Sequence, residues 1–472
     1  MTNIDLKLWG FCHTLRHDGI DYGDYIEQLT YLLFIKMAGE RGIELPTGCN
    51  WSDISQKSGT PLLNAYIDIL RTLGGQPGIL GAIFTDAQSR FNNPVNLKKL
   101  IGLIDETEWT SLEIDVKAAV FEGLLEKAAS EGKKGAGQYF TPRLLIQTIV
   151  RCMKPDPRAK ADFTICDPAC GTGGFLVESY EWFVEQTHSG AINRELSRRI
   201  KSSTYFGKDL VARPRRLAMM NLYLHGIESL VDLGDSIYEV PDGHRYDVVL
   251  TNPPFGTKGA NQAPTRDDFN IETSNKQLNF LQHVMTVLKP GGRASVVLPD
   301  DCLFKDKAGE VFEILMQDCN LHTVLRLPRG TFTPYSPGVK ANVVFFQKGR
   351  PTENVWIFDA RSNVPGITKK DRPLAPQHFA EFEAAYGADP NGLSKRTDTG
   401  DTGRFRKFHV SEIKERGYKL DITWLKDESL EYSDDLPEPQ DLASEAITEL
   451  EAVVDDLRDI VALLEKEEGV EK

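Results

Sequence analysis

The sequence predicts an α/β fold in which helices cover both faces of a mostly parallel, twisted β-sheet. Three observations support this prediction: short apolar runs recur from about residue 135 onward, helical patterns separate most of them, and a glycine-rich turn follows the first run. Parallel neighbours need long crossover connections, which the intervening helices would supply. We therefore expect a doubly wound sheet with an all-α domain before it and a helical tail after it.

Six segments have the composition of buried strands. They are residues 163–166, 204–207, 246–250, 294–298, 322–327 and 342–347. Amphipathic helical patterns lie between most of them, at residues 176–186, 215–225, 278–288 and 311–317. No convincing helix precedes the last strand, so we expect that strand to form an antiparallel edge of the sheet.

The chain divides into four predicted units. Residues 1–130 have helical patterns, for example at residues 25–38 and 112–129, and lack the alternation of strands with helices. The three units that follow are the α/β domain at residues 131–426, a proline-containing linker at residues 427–439, and an acidic helical tail at residues 440–472. A length of 472 residues also exceeds what one ordinary core accommodates.

The acidic tail has a heptad pattern. Apolar residues recur there with alternating spacings of three and four, at Ile447, Leu450, Val454, Leu457, Val461 and Leu464. Such a stripe is typical of one helix of a coiled coil, and this length is marginal for a free helix. The tail either lies on its own body or binds a partner, and we assign it to partner binding.

The net charge of −14 is concentrated in the same tail. From Ser429 to the C-terminus there are fifteen acids and three bases, which leaves a net charge of only −2 for the rest of the chain. Basic clusters at residues 194–201 and 208–216 permit contact with nucleic acid. Tight autonomous binding needs a stronger positive field, which a partner could supply.

Composition argues against several classes of protein. Apolar content of 40% and charged content of 26% are ordinary for a soluble domain. There is no signal-peptide pattern and no apolar run long enough to cross a bilayer, so we expect a cytoplasmic location and no membrane contact. The seven cysteines form no C-x-x-C pair, which predicts reduced, mostly buried thiols. His13 and His17 share a helical spacing but lack further ligands nearby, so we expect no metal.

A glycine-rich turn joins the first predicted strand, which ends near Asp167, to the following helix. Gly171, Gly173 and Gly174 let the backbone approach a ligand closely and offer amide N–H groups at a helix start. The pattern is not G-x-G-x-x-G, and this disfavours a nicotinamide dinucleotide. A purely structural turn stays an alternative for this segment taken alone.

Acids close the next two strands. Asp209 stands where a doubly wound sheet can use a carboxylate to accept hydrogen bonds from both ribose hydroxyls of a nucleoside cofactor. Its alternative role is to cap the helix that follows. Asp235 ends a further strand and either bonds the cofactor's adenine amino group or serves as a turn residue.

The segment Asn252-Pro253-Pro254-Phe255 follows a buried strand, at the edge where open α/β sheets bind ligands. Its prolines fix φ and remove two N–H donors, so nearby carbonyls can accept hydrogen bonds without local competition. The Asn252 Oδ1 atom and the Pro253 carbonyl can then accept hydrogen bonds from both N–H groups of a conjugated amino group. These bonds draw the amino nitrogen towards sp³ geometry. Phe255 offers a stacking face for an extruded base. A structural Asn-Pro turn is the alternative, although such a turn needs no aromatic residue at its fourth position.

A long polar loop follows this tetrapeptide. Residues 256–277 are rich in Gly, Asn, Thr and Asp and exceed the usual length of a connector. We therefore expect this loop to grip a substrate.

These motifs resemble those of the modification (M) subunit of type I restriction-modification systems, within the amino-group DNA methyltransferases. The resemblance covers most of residues 135–348. The glycine turn with its preceding Asp-Pro-Ala is similar to the cofactor-binding motif I, Asn-Pro-Pro-Phe to the catalytic motif IV, and residues 137–143 to motif X. Asp209 stands where many relatives have Glu, which keeps the chemistry but shortens the reach of the carboxylate.

The resemblance implies a Rossmann-like class I methyltransferase domain that uses S-adenosyl-L-methionine to methylate the exocyclic amino group of adenine in DNA. Direct transfer to a flipped-out adenine needs neither a covalent intermediate nor a metal. The expected catalytic residues are Asn252, Pro253, Pro254 and Phe255. The expected cofactor-binding residues are Gln138, Tyr139, Phe140, Thr141, Pro142, Arg143, Asp167, Gly171, Thr172, Gly173, Gly174, Asp209 and Asp235.

The resemblance also implies partners. They are double-stranded DNA, a specificity (S) subunit that reads its sequence, and a restriction (R) subunit that translocates and cuts, with two M subunits for each S subunit. A methyltransferase of RNA or of a protein glutamine is one alternative, disfavoured by Phe255 in place of Tyr, by the helical N-terminal domain and by the tail. A non-catalytic assembly subunit is another, disfavoured by the intact Asn252 and glycine turn.

Overall fold

The computed structural model describes residues 20, 22–107, 109, 141–187, 193–255, 263–333, 338–368 and 371–427. The helix expected at residues 112–129, the acidic tail, and the pair His13 and His17 lie outside these residues. None of the helices within them is both long and apolar enough to cross a membrane. The six cysteines that the structure describes are unpaired and buried, as expected.

The described part of the N-terminal region contains helices and no strand. The helices are α1 (Tyr22–Glu40), α2 (Ser52–Ser55), α3 (Gly59–Gly74), α4 (Gly78–Phe84) and α5 (Pro94–Asp105). Helix α1 confirms the pattern at residues 25–38 and is buried over most of its length. Asn93 caps α5 by accepting from the Val95 amide at 2.9 Å, with Pro94 in the first turn.

Nine strands among the described residues form one sheet. They are β1 (Ile165–Asp167), β2 (Tyr205–Asp209), β3 (Val231–Leu233), β4 (Tyr246–Thr251), β5 (Leu288–Pro299), β6 (Cys319–Arg326), β7 (Ala341–Lys348), β8 (Asn354–Asp359) and β9 (Phe405–His409). Their spatial order is β3-β2-β1-β4-β5-β7-β6-β8-β9, with parallel pairing from β3 to β5. All six expected strands are present, and the predicted α/β class is confirmed.

Helices cover both faces of this sheet. They are α6 (Arg143–Met153), α7 (Gly174–Thr187), α8 (Arg194–Ser203), α9 (Ala212–Leu224), α10 (Lys276–Val287), α11 (Ala308–Asp318), α12 (Gln377–Tyr386) and α13 (Val410–Glu415), with a 3-10 turn at Asp300–Leu303. One apolar core joins α6, α7, α9 and the N-terminal helices to one face, and a second core joins α10, α11 and α13 to the other. Strands β1, β4, β6 and β7 are therefore buried almost throughout, which explains their nearly continuous apolar composition.

Strand β7 lies inside the sheet and not at its edge, which corrects one expectation. It is antiparallel, as predicted, but it inserts between β5 and β6. The missing helix before β7 signalled the change of direction, but which strands flank it depends on long-range packing. The antiparallel edge on this side is β9, which pairs with β8. Neither β8 nor β9 was expected: β9 has charged residues inside its short pattern, whereas β8 contains an uninterrupted run of four apolar residues that the sequence analysis overlooked.

The basic cluster at residues 208–216 is mostly used inside the molecule. Arg216 forms an ion pair with Glu27 of α1, and Arg215 donates from Nε to the Val231 carbonyl at 2.6 Å. These contacts fasten α9 to the N-terminal helices and to strand β3. The cluster therefore has a structural explanation that does not involve nucleic acid.

Candidate active site

The carboxyl edge of the sheet brings the expected motifs together. Strand β1 lies between β2 and β4, so that Cys166 pairs with Phe206 on one side and with Val249 on the other. Because the three strands are parallel, the chain leaves all of them at the same edge. Ligands of open α/β sheets bind at this edge.

Glycine serves two purposes in the turn after β1. Gly173 and Gly174 permit close packing, because a Cβ would lie 3.3 Å from the Ala218 Cβ in the first case and 2.8 Å from the Ile146 Cδ1 in the second. Gly171 instead has a φ of +53° and open space where a Cβ would stand. Gly171 therefore keeps the turn in the left-handed region and leaves room for a ligand.

Asp209, at the end of β2, braces this turn. Its Oδ2 accepts from the Gly171 amide at 2.9 Å, and its Oδ1 accepts from the Val211 amide at 2.8 Å. Burial raises the pKa of this carboxyl above its ordinary value, and the two amide donors oppose the rise. Each carboxylate oxygen retains a further lone pair, so Asp209 can still accept from hydroxyl groups.

Asp235 closes its own turn after β3. Its Oδ1 accepts from the amides of Ile237 at 2.8 Å and Tyr238 at 3.0 Å. The next residue, Ser236, donates from Oγ to the Pro168 carbonyl at 2.6 Å. These contacts match the turn role that the sequence left open for Asp235, and they fasten the turn to the motif after β1.

Asp167 is the most buried of the three acids at this edge. It is 2% exposed, and its Oδ1 accepts from the Ala169 amide at 3.1 Å. Burial raises its pKa to about 7, and the nearby Asp209 carboxylate adds to the rise. Among the lysines and arginines that the structure describes, none forms an ion pair with it. A position of this kind suits a positively charged ligand.

Apolar side chains stand exposed beside these acids. Leu210, directly after Asp209, is 64% exposed, and Leu233 at the end of β3 is 53% exposed. Leu233 of β3 lies beside Asp209 of β2 in the strand register, so Leu210 and Leu233 both lie next to Asp209. Such a surface suits a planar ring. Sequence reasoning missed Leu210, although an apolar residue directly after the strand-ending acid was a usable signal.

Asn252 follows β4 and is 8% exposed. Its Nδ2 donates to the Thr141 Oγ1 at 2.9 Å. Its Oδ1 is buried and has no hydrogen-bond partner among the residues that the structure describes. The carboxamide therefore presents an unused acceptor, which is the group that an incoming amino donor needs.

The Pro254 carbonyl, in contrast, is already occupied. Gln277, in the first turn of α10, donates to it from Nε2 at 2.7 Å and is itself 4% exposed. This contact ties the end of the tetrapeptide to α10. Sequence reasoning did not identify Gln277, because nothing in the spacing of residues 254 and 277 indicates the contact.

Phe255 packs against a second aromatic ring that the sequence did not suggest. The ring of Phe332 lies 5.6 Å away at an interplanar angle of 81°, in an edge-to-face arrangement. Phe255 is 5% exposed and Phe332 is fully buried. The Phe255 ring is therefore buried in this structure, and one of its neighbours is Phe332, which follows β6 on a Gly-Thr-Phe turn.

The motif X segment is only partly described. Gln138, Tyr139 and Phe140 lie outside the described residues, whereas Thr141 and Pro142 lead into α6. Arg143 donates from its guanidinium to Glu181 at 2.7 Å. The structure thus gives Arg143 a bond within the chain, and it brings Thr141 to the Asn252 side chain.

Arg266 anchors the long polar loop after the tetrapeptide. Its guanidinium donates to the Ser236 carbonyl at 2.7 Å and pairs with Asp268 at 2.5 Å, with no exposed side-chain surface. Residues 256–262 of the loop are outside the described part. The described end of the loop is therefore fastened to the turn after β3.

In the described ranges, no group of three or more His, Cys, Asp or Glu side chains is arranged to hold a metal ion. The acids at the carboxyl edge bond to backbone amides instead.

Comparison with known proteins shows the family to which this chain belongs. Residues 112–432 match the family described as N-6 DNA methylase. The chain is 39% identical to the methylase subunit of the type I restriction enzyme StySPI of Salmonella potsdam, covering 95% of this chain and 93% of that protein. It is 38% identical to the EcoKI methylase subunit of Escherichia coli K12, covering 97% and 94%.

Solved structures agree with these relatives. The crystal structure of the EcoKI M protein is similar with a TM-score of 0.56 and 34% identity, covering 98% of this chain and 96% of that one. A chain from a study of complex assembly in a type I restriction-modification system gives a TM-score of 0.67 and 28% identity, covering 98% of both chains. Because the family match spans more than half of the chain and the relatives are covered almost end to end, the chain belongs to the N-6 DNA methylase family, together with the methylase subunits of type I restriction enzymes.

Proposed function

We propose that the chain transfers a methyl group from S-adenosyl-L-methionine to the exocyclic amino group of adenine in double-stranded DNA, as the M subunit of a type I restriction-modification complex. The observation that carries this proposal is the Asn252 carboxamide at the carboxyl edge. Its Oδ1 is buried and lacks a partner among the described residues. An unsatisfied buried acceptor costs about 1–3 kcal/mol, which a bound amino group recovers.

The edge formed by β1, β2 and β3 fits S-adenosyl-L-methionine. Gly171 leaves open space above the turn, Asp209 retains lone pairs for the ribose hydroxyls, and Leu210 exposes an apolar surface for the adenine ring. Asp167 offers a buried carboxyl to a positively charged group. When bound, the cofactor supplies an electrophilic methyl group. Following the family, we assign further cofactor contacts to Gln138, Tyr139, Phe140, Thr141, Pro142, Arg143, Thr172, Gly173, Gly174 and Asp235.

The edge at β4 fits the target adenine. The adenine amino nitrogen is a poor nucleophile because its lone pair is delocalised into the ring. Asn252 Oδ1 and the Pro253 carbonyl accept hydrogen bonds from the two N–H groups of the amino group, and these bonds localise the lone pair on the nitrogen. These acceptors are fixed before the reaction, so they stabilise the developing positive charge without reorganising. No covalent bond between protein and base is needed.

Phe255 supports the base once it leaves the duplex. Stacking of a base on an aromatic side chain contributes about 1–3 kcal/mol. This offsets part of the few kcal/mol needed to unstack and unpair the base. Because the Phe255 ring is 5% exposed in this structure, neighbouring groups must move before a base can stack on it.

We extend the proposal to the organisation of the chain and its partners. Residues 1–130 form a helical domain, residues 131–426 the methyltransferase domain, residues 427–439 a linker, and residues 440–472 a tail that binds the S subunit. Two M subunits join one S subunit, and an R subunit joins that complex in the cytoplasm. The relatives named as methylase subunits and the near-neutral charge outside the tail support this arrangement.

Two other functions use part of the same site. A methyltransferase of RNA or of a protein glutamine needs the same pair of acceptors, but its substrate class is not that of the matched family. A non-catalytic assembly subunit gains nothing from a buried acceptor without a partner. Neither alternative has an observation in its favour.

Radioactive methyl transfer tests the proposal. The full-length chain is incubated with tritiated S-adenosyl-L-methionine and duplex DNA, alone and together with its S subunit. We expect N6-methyladenine with the S subunit present and little product without it. A cytosine product, or transfer only to RNA or protein, would refute the proposal. Cofactor binding with no transfer under any condition would favour the assembly subunit.

Deletion of residues 440–472 tests the tail. We expect it to weaken association with the S subunit and to leave cofactor binding unchanged. Unchanged association would contradict the role of the tail alone, and would not affect the proposed chemistry.

A further inference from the structure

The turn after β3 lies against two of the segments that we assign to the cofactor. The Gly234 amide donates to the Asp209 carbonyl at 3.0 Å, and the Ser236 Oγ donates to the Pro168 carbonyl at 2.6 Å. Pro168 directly follows the buried Asp167 in the chain. A shift of this turn would therefore alter one side of the proposed cofactor site.

A residue of the long polar loop satisfies the carbonyl groups of this turn. Arg266 donates from Nη1 to the Ser236 carbonyl at 2.7 Å and to the Ile237 carbonyl at 3.2 Å. A guanidinium has five N–H donors and no acceptor, so its chemistry fixes the direction of these bonds. The Asp235 carboxylate accepts from amides of the same turn, so the two side chains hold complementary sets of backbone groups.

The Arg266 guanidinium is itself held by several neighbours. Asp268 accepts from its Nε at 2.9 Å and pairs with its Nη2, and its Cζ lies 4.0 Å from the centre of the Phe269 ring. Nδ1 of His283, on α10, is the acceptor of a 3.2 Å bond from Nη1, because the guanidinium cannot accept. Burial, together with the Arg266 charge, lowers the pKa of His283 to about 3, which keeps the ring neutral and able to accept.

Arg293 uses the same chemistry at the opposite edge of the sheet. It donates from Nε to the Met153 carbonyl and from Nη2 to the Lys154 carbonyl, each at 2.8 Å. These carbonyls lie at the amino edge, whereas open α/β sheets bind ligands at the carboxyl edge. Arg293 therefore provides a comparison in which two consecutive carbonyls are held but the cofactor site is not involved.

We propose that Arg266 is a positioning residue that holds the turn at residues 235–238 in the shape that binds S-adenosyl-L-methionine. This inference rests on the proposed function. It assigns part of the cofactor affinity to a residue of the loop that we expect to grip the substrate, outside every motif of the family resemblance. Arg266 acts through the backbone of Ser236 and Ile237 and does not itself have to touch the cofactor.

The test compares lysine substitutions of the two arginines. Arg266→Lys keeps the positive charge but replaces the planar fork with one nitrogen, which cannot serve both carbonyls and Asp268 together. Arg293→Lys is the matched control, because it removes the same fork at the amino edge. Cofactor Kd and the melting temperature are measured on the full chain by calorimetry. The rate of methyl transfer is measured in the assembled enzyme at saturating cofactor and DNA.

We expect Arg266→Lys to raise the cofactor Kd by about 10- to 100-fold, the effect of losing one hydrogen bond to a charged group. Both variants should lower the melting temperature, but Arg293→Lys should leave the Kd close to the wild-type value. At saturating cofactor, kcat should be similar in the two variants. Equal Kd values in the two variants would overturn the inference. A loss of kcat with a normal Kd would also overturn it, because Arg266 would then serve the substrate.

Hydrogen exchange of the wild-type chain gives a second test that needs no folded variant. The Phe269 amide reports on the loop, because it donates to the Arg266 carbonyl at 3.2 Å. We expect S-adenosyl-L-methionine to slow exchange at this amide as well as at residues 235–238, and to leave residues 154–163 at the amino edge unchanged. Protection at residues 235–238 alone would contradict a link through Arg266. Failure of the wild-type chain to bind the cofactor would instead refute the proposed function.

Discussion

Two buried aspartates on neighbouring strands have opposite surroundings. Asp247 is the second residue of β4, at the amino edge of the sheet, and Asp167 is the last residue of β1, at the carboxyl edge. Burial raises the pKa of Asp247, but Lys160 and Lys289, each 2.7 Å from a carboxylate oxygen, more than offset this and hold the pKa below its usual value. Asp167 has no such cation in the described part of the chain, and its pKa rises to about 7.

The same contrast between the two edges holds for hydrogen-bonding side chains other than carboxylates. At the amino edge, Arg293 satisfies the carbonyls of Met153 and Lys154 at 2.8 Å each. At the carboxyl edge, Asn252 keeps a buried oxygen without a donor among the described residues. Asp247 and Arg293 thus find their partners within the chain, whereas Asn252 Oδ1 has none among the described residues. We expect the first two residues to act on stability and Asn252 to act on function.

The largest effect should come from removing Asn252 Oδ1, the buried acceptor that has no hydrogen-bond partner among the described residues. We expect Asn252→Ala to lower kcat by at least about 10²- to 10³-fold, the loss typical of one preorganised polar group. The fold and cofactor binding should persist. The measurement is methyl transfer by the assembled enzyme, with Asn320→Ala in β6 as a control at the amino edge. Equal loss of cofactor binding would undermine the catalytic role of Asn252.

At the amino edge the effect should be on stability. We expect Asp247→Asn to lower the free energy of unfolding by about 2–4 kcal/mol, because two lysines lose their buried partner. Since the pKa of Asp247 is depressed in the folded state, its contribution is present above the unfolded value near 4 and is lost as the pH falls through the folded pKa. Urea unfolding at several pH values measures this. A large loss of kcat with unchanged stability would break the comparison.

Asp167 should show the opposite pH dependence. Its raised pKa means that the folded state binds more protons than the unfolded state between about pH 4 and pH 7, so its contribution to stability falls as the pH rises through this window. We expect Asp167→Asn to remove this slope, to raise stability at pH 8 by about 1–3 kcal/mol, and to weaken cofactor binding. Unfolding curves and calorimetry check these outcomes. Tighter cofactor binding by the variant would contradict the assignment of Asp167 to the cofactor.

The smallest effect should come from removing the Gln277 side chain, which donates a hydrogen bond to the Pro254 carbonyl. We expect Gln277→Leu to cost about 1 kcal/mol of stability and to lower kcat several-fold, because the freed Pro254 carbonyl can compete for the amino protons of adenine. Gln282→Leu is the control, since Gln282 is also buried on α10 and bonds the backbone of Ile271. Equal kcat in the two variants would show that Gln277 acts only on stability.

Local patterns predicted the groups that act within one segment. The glycine turn and the strand-ending acids follow from strand and helix periodicity, and the structure brings Gly171 and Asp209 into direct contact. Asn252 also followed from its place after a buried strand. Each of these positions depends on a few neighbouring residues, so the sequence carries the information locally.

Contacts between distant segments could not be predicted in this way. Thr141 is 111 residues from Asn252, and the sequence analysis gave it only as a cofactor contact implied by the family resemblance. Phe332 contacts Phe255 from the segment after β6, which runs in the same direction as β4 because β7 is antiparallel to both β5 and β6. Such contacts depend on strand order, which periodicity does not specify.

The junction between α1 and α9 has a consequence for how the protein can be divided. Helix α9 begins three residues after Asp209, and its Arg216 pairs with Glu27 and lies 5.5 Å from the ring of Tyr31 in α1. An engineered exchange of the N-terminal helices between relatives must therefore exchange the contacting residues of α1 and α9 together. A chimera that joins unmatched halves is expected to misplace the strand-ending acid Asp209 as well as the N-terminal helices.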